Sequence, residues 1–140
     1  MTYELQRFLK AQEEDYPRAL EEIRSGRKLG HWMWYIFPQL AVLGRSETAR
    51  YYGIRDEAEA LAYWQDPVLS GRLVEISRAL LEQTGTAWEI LGSPDDLKLC
   101  SCMTLFYRIT GEPVFRQVLE RFYRGEEDAL TCRFLTENRT

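Results

Sequence analysis

Helix start and stop signals recur along the whole chain, and no convincing strand pattern lies between them. Asp66-Pro67 sets a carboxylate cap before a proline at the first helical position, where no amide donor is needed. The stripe that follows, Leu69, Leu73, Ile76, Leu80 and Leu81, stops at Gly85. Thr86 and Glu89 have capping-box spacing, and their brief helix closes at Gly92. Ser93-Pro94-Asp95-Asp96 is the strongest start: Ser93 as cap, Pro94 in the first position, and two carboxylates at the positive helix end. That helix is predicted to reach about Arg108, before Thr110-Gly111-Glu112-Pro113 breaks it. Another carries Val114, Phe115, Val118, Leu119 and Phe122 and ends at Gly125; a last one holds Leu130, Phe134 and Leu135. Upstream, Ser46 caps a short helix closed by Gly53, and Asp56 caps one bearing Ala58, Leu61 and Ala62. The stretch Tyr3 to Arg24 reads as two helical pieces, the second capped by Asp15 with Pro17 in its first turn. The prediction is an all-α fold, one compact multi-helix domain over residues 1–140, without an internal repeat.

The chain has 140 residues, a size at which roughly 68–70% of the unfolded surface is buried on folding. Its aromatic share of 13% argues against disorder. A net charge of −4 does not favour nucleic acid, which demands clustered Lys and Arg. Here the basic residues are scattered, and Arg24 to Lys28 is the nearest to a cluster. An odd set of 3 Cys without a signal-peptide pattern points to the reducing cytoplasm. No apolar run approaches the roughly 20 residues of a membrane span; Trp32 to Leu43 is too short and contains Pro38 and Gln39.

Several chemistries have no sequence signature here. There is no glycine-rich phosphate loop, His-Glu-x-x-His, Cys-x-x-Cys or nucleophile elbow. His31 is the only histidine, so a triad must use it, and a multi-histidine zinc site is impossible. Cys100 and Cys102 point about 200° apart on a helix and are badly placed to chelate one ion together. No metal and no cofactor are expected.

Three segments hold polar groups that a core alone does not demand. In His31 to Gln39, Trp32, Trp34, Tyr35 and Phe37 surround one acid–base group. They read either as core aromatics or as a pocket whose walls hold a planar ligand while His31 or Gln39 orients it. In Gly92 to Phe106, Asp95 and Asp96 suit a helix start, and Lys98, Ser101 and Thr104 form one polar line on a helix whose other positions include Leu97, Leu99 and Met103. The line is either a solvated face or a row of donors for an anion or sugar, since Ser and Thr are poor helix-interior residues. In Gly44-Arg45-Ser46, Arg45 precedes a helix start and is either a surface charge or an anion contact.

Gly26-Arg27-Lys28 leading into His31-Trp32-Met33-Trp34-Tyr35-Ile36-Phe37-Pro38-Gln39-Leu40, then Gly44-Arg45-Ser46, and later Gly92-Ser93-Pro94-Asp95-Asp96-Leu97-Lys98 with Ser101-Cys102-Met103-Thr104-Leu105-Phe106, resemble the DUF1810 family. The resemblance runs from the Leu5-Phe8 helix to the Phe115 helix. It implies an all-helical protein with an alpha-alpha superhelix-like architecture, and it implies no assigned activity. It marks His31, Trp32, Trp34, Gln39, Arg45, Ser46, Asp95, Asp96, Lys98, Ser101 and Thr104 as motif positions. The expectation drawn from these residues is a small anionic planar ligand such as a nucleotide or ADP-ribose derivative. Trp32 or Trp34 would stack on it, and Arg45 and Lys98 would hold its phosphate. Gln39, Ser46, Ser101 and Thr104 would supply polar contacts, and His31, Asp95 and Asp96 would act as acid–base groups. The rival is a helical protein-interaction module without chemistry. The ligand-binding reading requires the stretch around His31 to Gln39 and the helix that follows Gly92 to share one cleft.

Overall fold

The computed structural model describes residues 4–137. Among these the chain forms helices α1 (Gln6–Arg24), α2 (Met33–Ile36), α3 (Glu47–Tyr51), α4 (Glu57–Gln65), α5 (Pro67–Leu81), α6 (Ala87–Leu91), α7 (Asp95–Thr110), α8 (Pro113–Tyr123) and α9 (Ala129–Glu137), with a 3-10 turn at Ala41–Leu43. No strand occurs among the described residues; a lone parallel bridge joins Leu40 and Ile54. The caps read from the sequence form as expected at four starts, that of Ser46 on α3 among them. Asp56 accepts the Glu59 N–H, Asp66 accepts from Val68 and Leu69, and Thr86 and Glu89 close a reciprocal capping box.

Two expected helix starts are corrected. The first 19 helical residues form one helix rather than two pieces, with Pro17 inside it. Pro17 lies on the exposed side, so the carbonyl it leaves without an amide faces water. The opposite side buries Phe8, Gln12, Tyr16, Ala19 and Ile23, and this packing carries the helix through the break. Asp15, expected as a cap, instead accepts a hydrogen bond from the Tyr35 hydroxyl. At the second start, Ser93 is not the cap: α7 begins at Asp95, and Pro94 precedes it without a side-chain cap bond. The Gly92 carbonyl takes the Asp96 N–H at 2.9 Å, the amide three residues on that a Ser93 cap would serve, and the Pro94 carbonyl takes those of Leu97 and Lys98.

Helix α7 is the axis of the fold. It touches α4, α6, α8 and α9, while α5 lies between α1 and α8. Leu99, Cys102, Met103, Leu105 and Phe106 on α7 are fully buried. A chain of rings crosses the core from α1 to α8: Phe8 to Tyr63 at 5.1 Å, Tyr63 to Phe106 at 5.2 Å, and Phe106 to Phe115 at 6.1 Å. These are edge and tilted contacts, the geometry that ring quadrupoles favour. The Tyr63 phenol is held in the core by the Gln12 amide, which donates to it at 3.1 Å and to the Tyr35 carbonyl at 2.6 Å. Burial pushes the Tyr63 hydroxyl well above its ordinary pKa, so it stays neutral.

One charged pair is enclosed at the edge of this core. The Arg7 guanidinium contacts the Glu59 carboxylate at 3.1 Å, with the two side chains 5% and 0% exposed. Arg7 also donates to the carbonyls of Tyr51 and Gly53, each at 2.8 Å, and to that of Glu4. Glu59 in turn accepts the Arg55 N–H at 2.9 Å. Removing one partner of such a pair strands a buried charge and costs about 3–5 kcal/mol. Arg7→Met is therefore expected to lose about that much in urea unfolding. Arg55→Ala is expected to lose less than about 1 kcal/mol, because the Arg55 side chain is 64% exposed and stands 3.9 Å from Glu59. Equal losses in the two variants would contradict the distinction.

Candidate functional site

A cleft of about 600 Å³ opens between the 39–49 segment and the start of α7. One wall consists of Gln39, Leu43, Arg45, Ser46 and Ala49; the other of Pro94, Leu97, Lys98 and Ser101, with Asp128 and Leu130 at the entrance to α9. The two sequence motifs therefore meet. Five of the candidate residues, Gln39, Arg45, Ser46, Lys98 and Ser101, line one space of the size small ligands occupy.

Local structure explains each position. The Ser46 hydroxyl accepts the Ala49 N–H at 3.1 Å and starts α3, so it works as a cap at the cleft edge. Arg45, just before it, is exposed. The 39–54 segment is closed on itself by the Ala41 N–H bond to Ile54 and the Ile54 N–H bond to Gln39, both 2.8 Å. Gly53 makes this closure possible: a Cβ there would fall 2.3 Å from the Ala41 Cα. Across the cleft, Ser101 is buried and bonds back to the Leu97 carbonyl at 3.3 Å, the usual resort of a hydroxyl inside a helix. Lys98 is 25% exposed, lies 5.8 Å from the Trp34 ring, and stands a long 3.8 Å from Asp95.

The other candidates lie outside the cleft lining. Trp32 is 1% exposed, and its indole N–H donates to Glu22 at 2.8 Å. Asp95 is tied to Lys28 at 3.0 Å, and Lys28 stacks over Trp32 at 5.2 Å, which fastens the loop before α2 to α7. The Asp96 carboxylate accepts the Leu97 N–H, and its carbonyl accepts from the Tyr123 hydroxyl. Thr104 is wholly buried and accepts the Asp128 N–H at 2.8 Å, which docks the approach to α9. His31 is exposed, and neither it nor Asp95 nor Asp96 lines the cleft. The polar line on α7 thus divides: Lys98 and Ser101 face the cleft, Thr104 faces a neighbouring element, and Ser101 and Thr104 do not form a solvated face. Leu97, read from the sequence with the apolar positions of α7, is 63% exposed.

Sequence reasoning missed Leu43, Ala49, Asp128 and Leu130. Asp128 carries a readable signal, since it stands three residues before Thr131 and caps α9 by accepting the Thr131 N–H at 3.0 Å and hydroxyl at 2.6 Å. Nothing local marks an exposed Leu130 as a cleft residue. A second groove of about 530 Å³, beside Trp64, Gly71 and Arg78, holds none of the candidates. All three cysteines are free thiols. Burial, helped by the charge of Asp128, pushes Cys100 up to about 11, and burial raises Cys102 well above its ordinary value, so neither is an activated thiolate. No cluster of His, Cys, Asp or Glu suited to a metal ion occurs among the described residues. Nor is any helix among them long and apolar enough to cross a membrane.

The fold and the cleft define a class: an all-helical protein with a small open site where two separate motifs meet. The chain belongs to the family described as "Protein of unknown function (DUF1810)", which matches residues 2–135. The crystal structure of the conserved hypothetical protein Rv1873 from Mycobacterium tuberculosis is similar, with a TM-score of 0.93 and 46% identity over 96% of this chain and 97% of that one. Among curated proteins, none matches.

The Glu22 carboxylate gathers three donors, the N–H groups of Leu29 and Gly30 and the Trp32 indole, at 2.8–2.9 Å. Burial acts to raise its pKa; those hydrogen bonds, with the charge of Lys28, outweigh burial and bring it below the ordinary 4.5. A lowered folded-state pKa stabilises the protein above the unfolded value, and that stability is lost as pH falls through the folded value. Glu22→Gln is expected to be less stable than the parent at neutral pH, with the gap closing as pH drops below 4.5. Urea midpoints across that range measure it; a gap that stays constant would contradict the assignment.

Proposed function

We propose that the cleft between the two motifs binds a small anionic ligand. The observation that carries this reading is the pair of cations, Arg45 and Lys98, on opposite walls of one space. Their environments differ from that of the neighbouring Lys28. Lys28 is 10% exposed and paired at 3.0 Å, whereas Lys98 is more open and its acid stands at 3.8 Å, so an incoming anion can compete for the ammonium. Arg45 offers a planar fork suited to a carboxylate or phosphate. The Gln39 amide and the Ser101 hydroxyl stand beside them to orient polar groups of the ligand.

A nucleotide or an ADP-ribose derivative is one ligand of this kind, and its phosphate suits the two cations. The base would need a partner other than Trp32, which the core encloses. The reading is of binding, with Asp95 and Asp96 acting on structure rather than on bound ligand: Asp95 anchors Lys28 and Asp96 serves the first turn of α7.

The test is thermal denaturation against anions with different bodies: AMP, ADP-ribose, phenyl phosphate and simple carboxylates. A ligand at a hundred times its Kd adds about 2.7 kcal/mol, a rise of roughly 8 °C for a protein of this size. The rise is expected to disappear in Arg45→Ala/Lys98→Ala, whose own melting temperature stays near the parent value. No rise with any anion, or a rise that survives the double substitution, would sink the proposal.

A further inference from the structure

The cleft also carries information about the uncharged part of its ligand. Its apolar lining is aliphatic: Leu43, Ala49, Pro94, Leu97 and Leu130, without an aromatic ring. Two of these are in unusual settings. Leu97 is 63% exposed on a helix whose Leu99, Leu105 and Phe106 are fully buried, and Leu130, from a different helix, is 58% exposed. Two exposed leucines from separate elements thus flank one space that also holds two cations. The carboxylate at the cleft, Asp128, turns one oxygen to the Thr131 N–H and hydroxyl, where it offsets the start of α9. The charge left facing a ligand is positive, and the surface beside it is oily and not flat.

Resting on the anion-binding reading, we infer that the ligand is an aliphatic oxyanion, a carboxylate or phosphate head on an alkyl chain. The head meets Arg45 and Lys98; the chain covers Leu97 and Leu130. Burying them removes apolar surface from water, and each methylene fully buried strengthens binding about fourfold. The lining residues offer a planar base no ring to stack on, Trp34 standing outside them on the Lys98 ammonium, and an uncharged chain would forgo both cations.

Calorimetric titration below micelle-forming concentrations tests this, using the straight-chain acids from acetate to decanoate, octyl phosphate, methyl octanoate and AMP. Affinity is expected to climb about twofold to fourfold per methylene over part of the series. Methyl octanoate is expected to bind at least about tenfold more weakly than octanoate, since it lacks the charge. Leu97→Ser and Leu130→Ser change exposed side chains, so the protein still folds; both are expected to flatten the chain-length dependence. Lys98→Ala should weaken octanoate and leave methyl octanoate unchanged. If AMP binds and neither alkyl carboxylates nor octyl phosphate do, the aliphatic inference is overturned while the anion-binding reading stands. If no anion binds, both fall. Chain-length dependence that ignores Leu97 and Leu130 places the chain elsewhere and also overturns the inference.

Discussion

The enclosed contact between Arg7 and Glu59 is the constraint on which the rest of the arrangement depends. Desolvating two charges costs several kcal/mol, which is recovered only when the remaining donors and acceptors are also satisfied. Here the guanidinium finds Glu59 and the carbonyls of Glu4, Tyr51 and Gly53. The carboxylate also takes the Arg55 N–H. The Tyr51 carbonyl lies at the end of α3 and the Gly53 carbonyl in the link that leads to α4. A neutral aliphatic side chain at position 7 would fill the same space and leave those carbonyls bare. The pair therefore does more than join α1 to α4: it dictates the path of the chain from Tyr51 to Arg55.

That path decides the shape of the cleft. Once Gly53 is placed, it can lie against Ala41, and the Ala41–Ile54 and Ile54–Gln39 hydrogen bonds close the segment carrying Arg45 and Ser46. The opposite wall is fixed differently. Helix α7 buries Leu99, Cys102, Met103, Leu105 and Phe106, while Leu97 and Lys98 of its first turn line the cleft. The cleft is thus the gap between a wall set by apolar packing and a wall set by a buried charge. Among the described residues no buried side-chain nitrogen or oxygen lacks a hydrogen-bond partner, and of the polar side chains that line the gap Arg45 and Ser46 are exposed.

Much of the architecture was legible because it is local. Caps at Asp56, Asp66 and Thr86 satisfy amides within three residues, and such spacing is visible in one dimension. Pro17 misled for the same reason: its local rule is a helix start, and the burial of Phe8, Tyr16 and Ile23 overrides it. Ser93 misled because the amide it was to cap already bonds to Gly92. Of the site, the motifs and the family they resemble singled out Gln39, Arg45, Lys98 and Ser101, but left open whether their segments share one cleft. The roles of Trp32, Asp95 and Thr104 were not legible, because each is settled by a partner distant in sequence: Glu22, Lys28 and Asp128 respectively. Arg7 and Glu59 carry no local mark at all; two ordinary charges 52 positions apart become visible as a pair only in three dimensions.

The most direct test of this account is amide hydrogen exchange in Glu59→Gln, which keeps the shape of the side chain and removes its charge. If the pair sets the cleft wall, the Ala41 and Ile54 amides will exchange much faster than in the parent protein, while Met103 and Leu105 in α7 keep their protection. Unchanged protection at Ala41 and Ile54, or an equal loss across α7, would show that the wall does not depend on the buried charge.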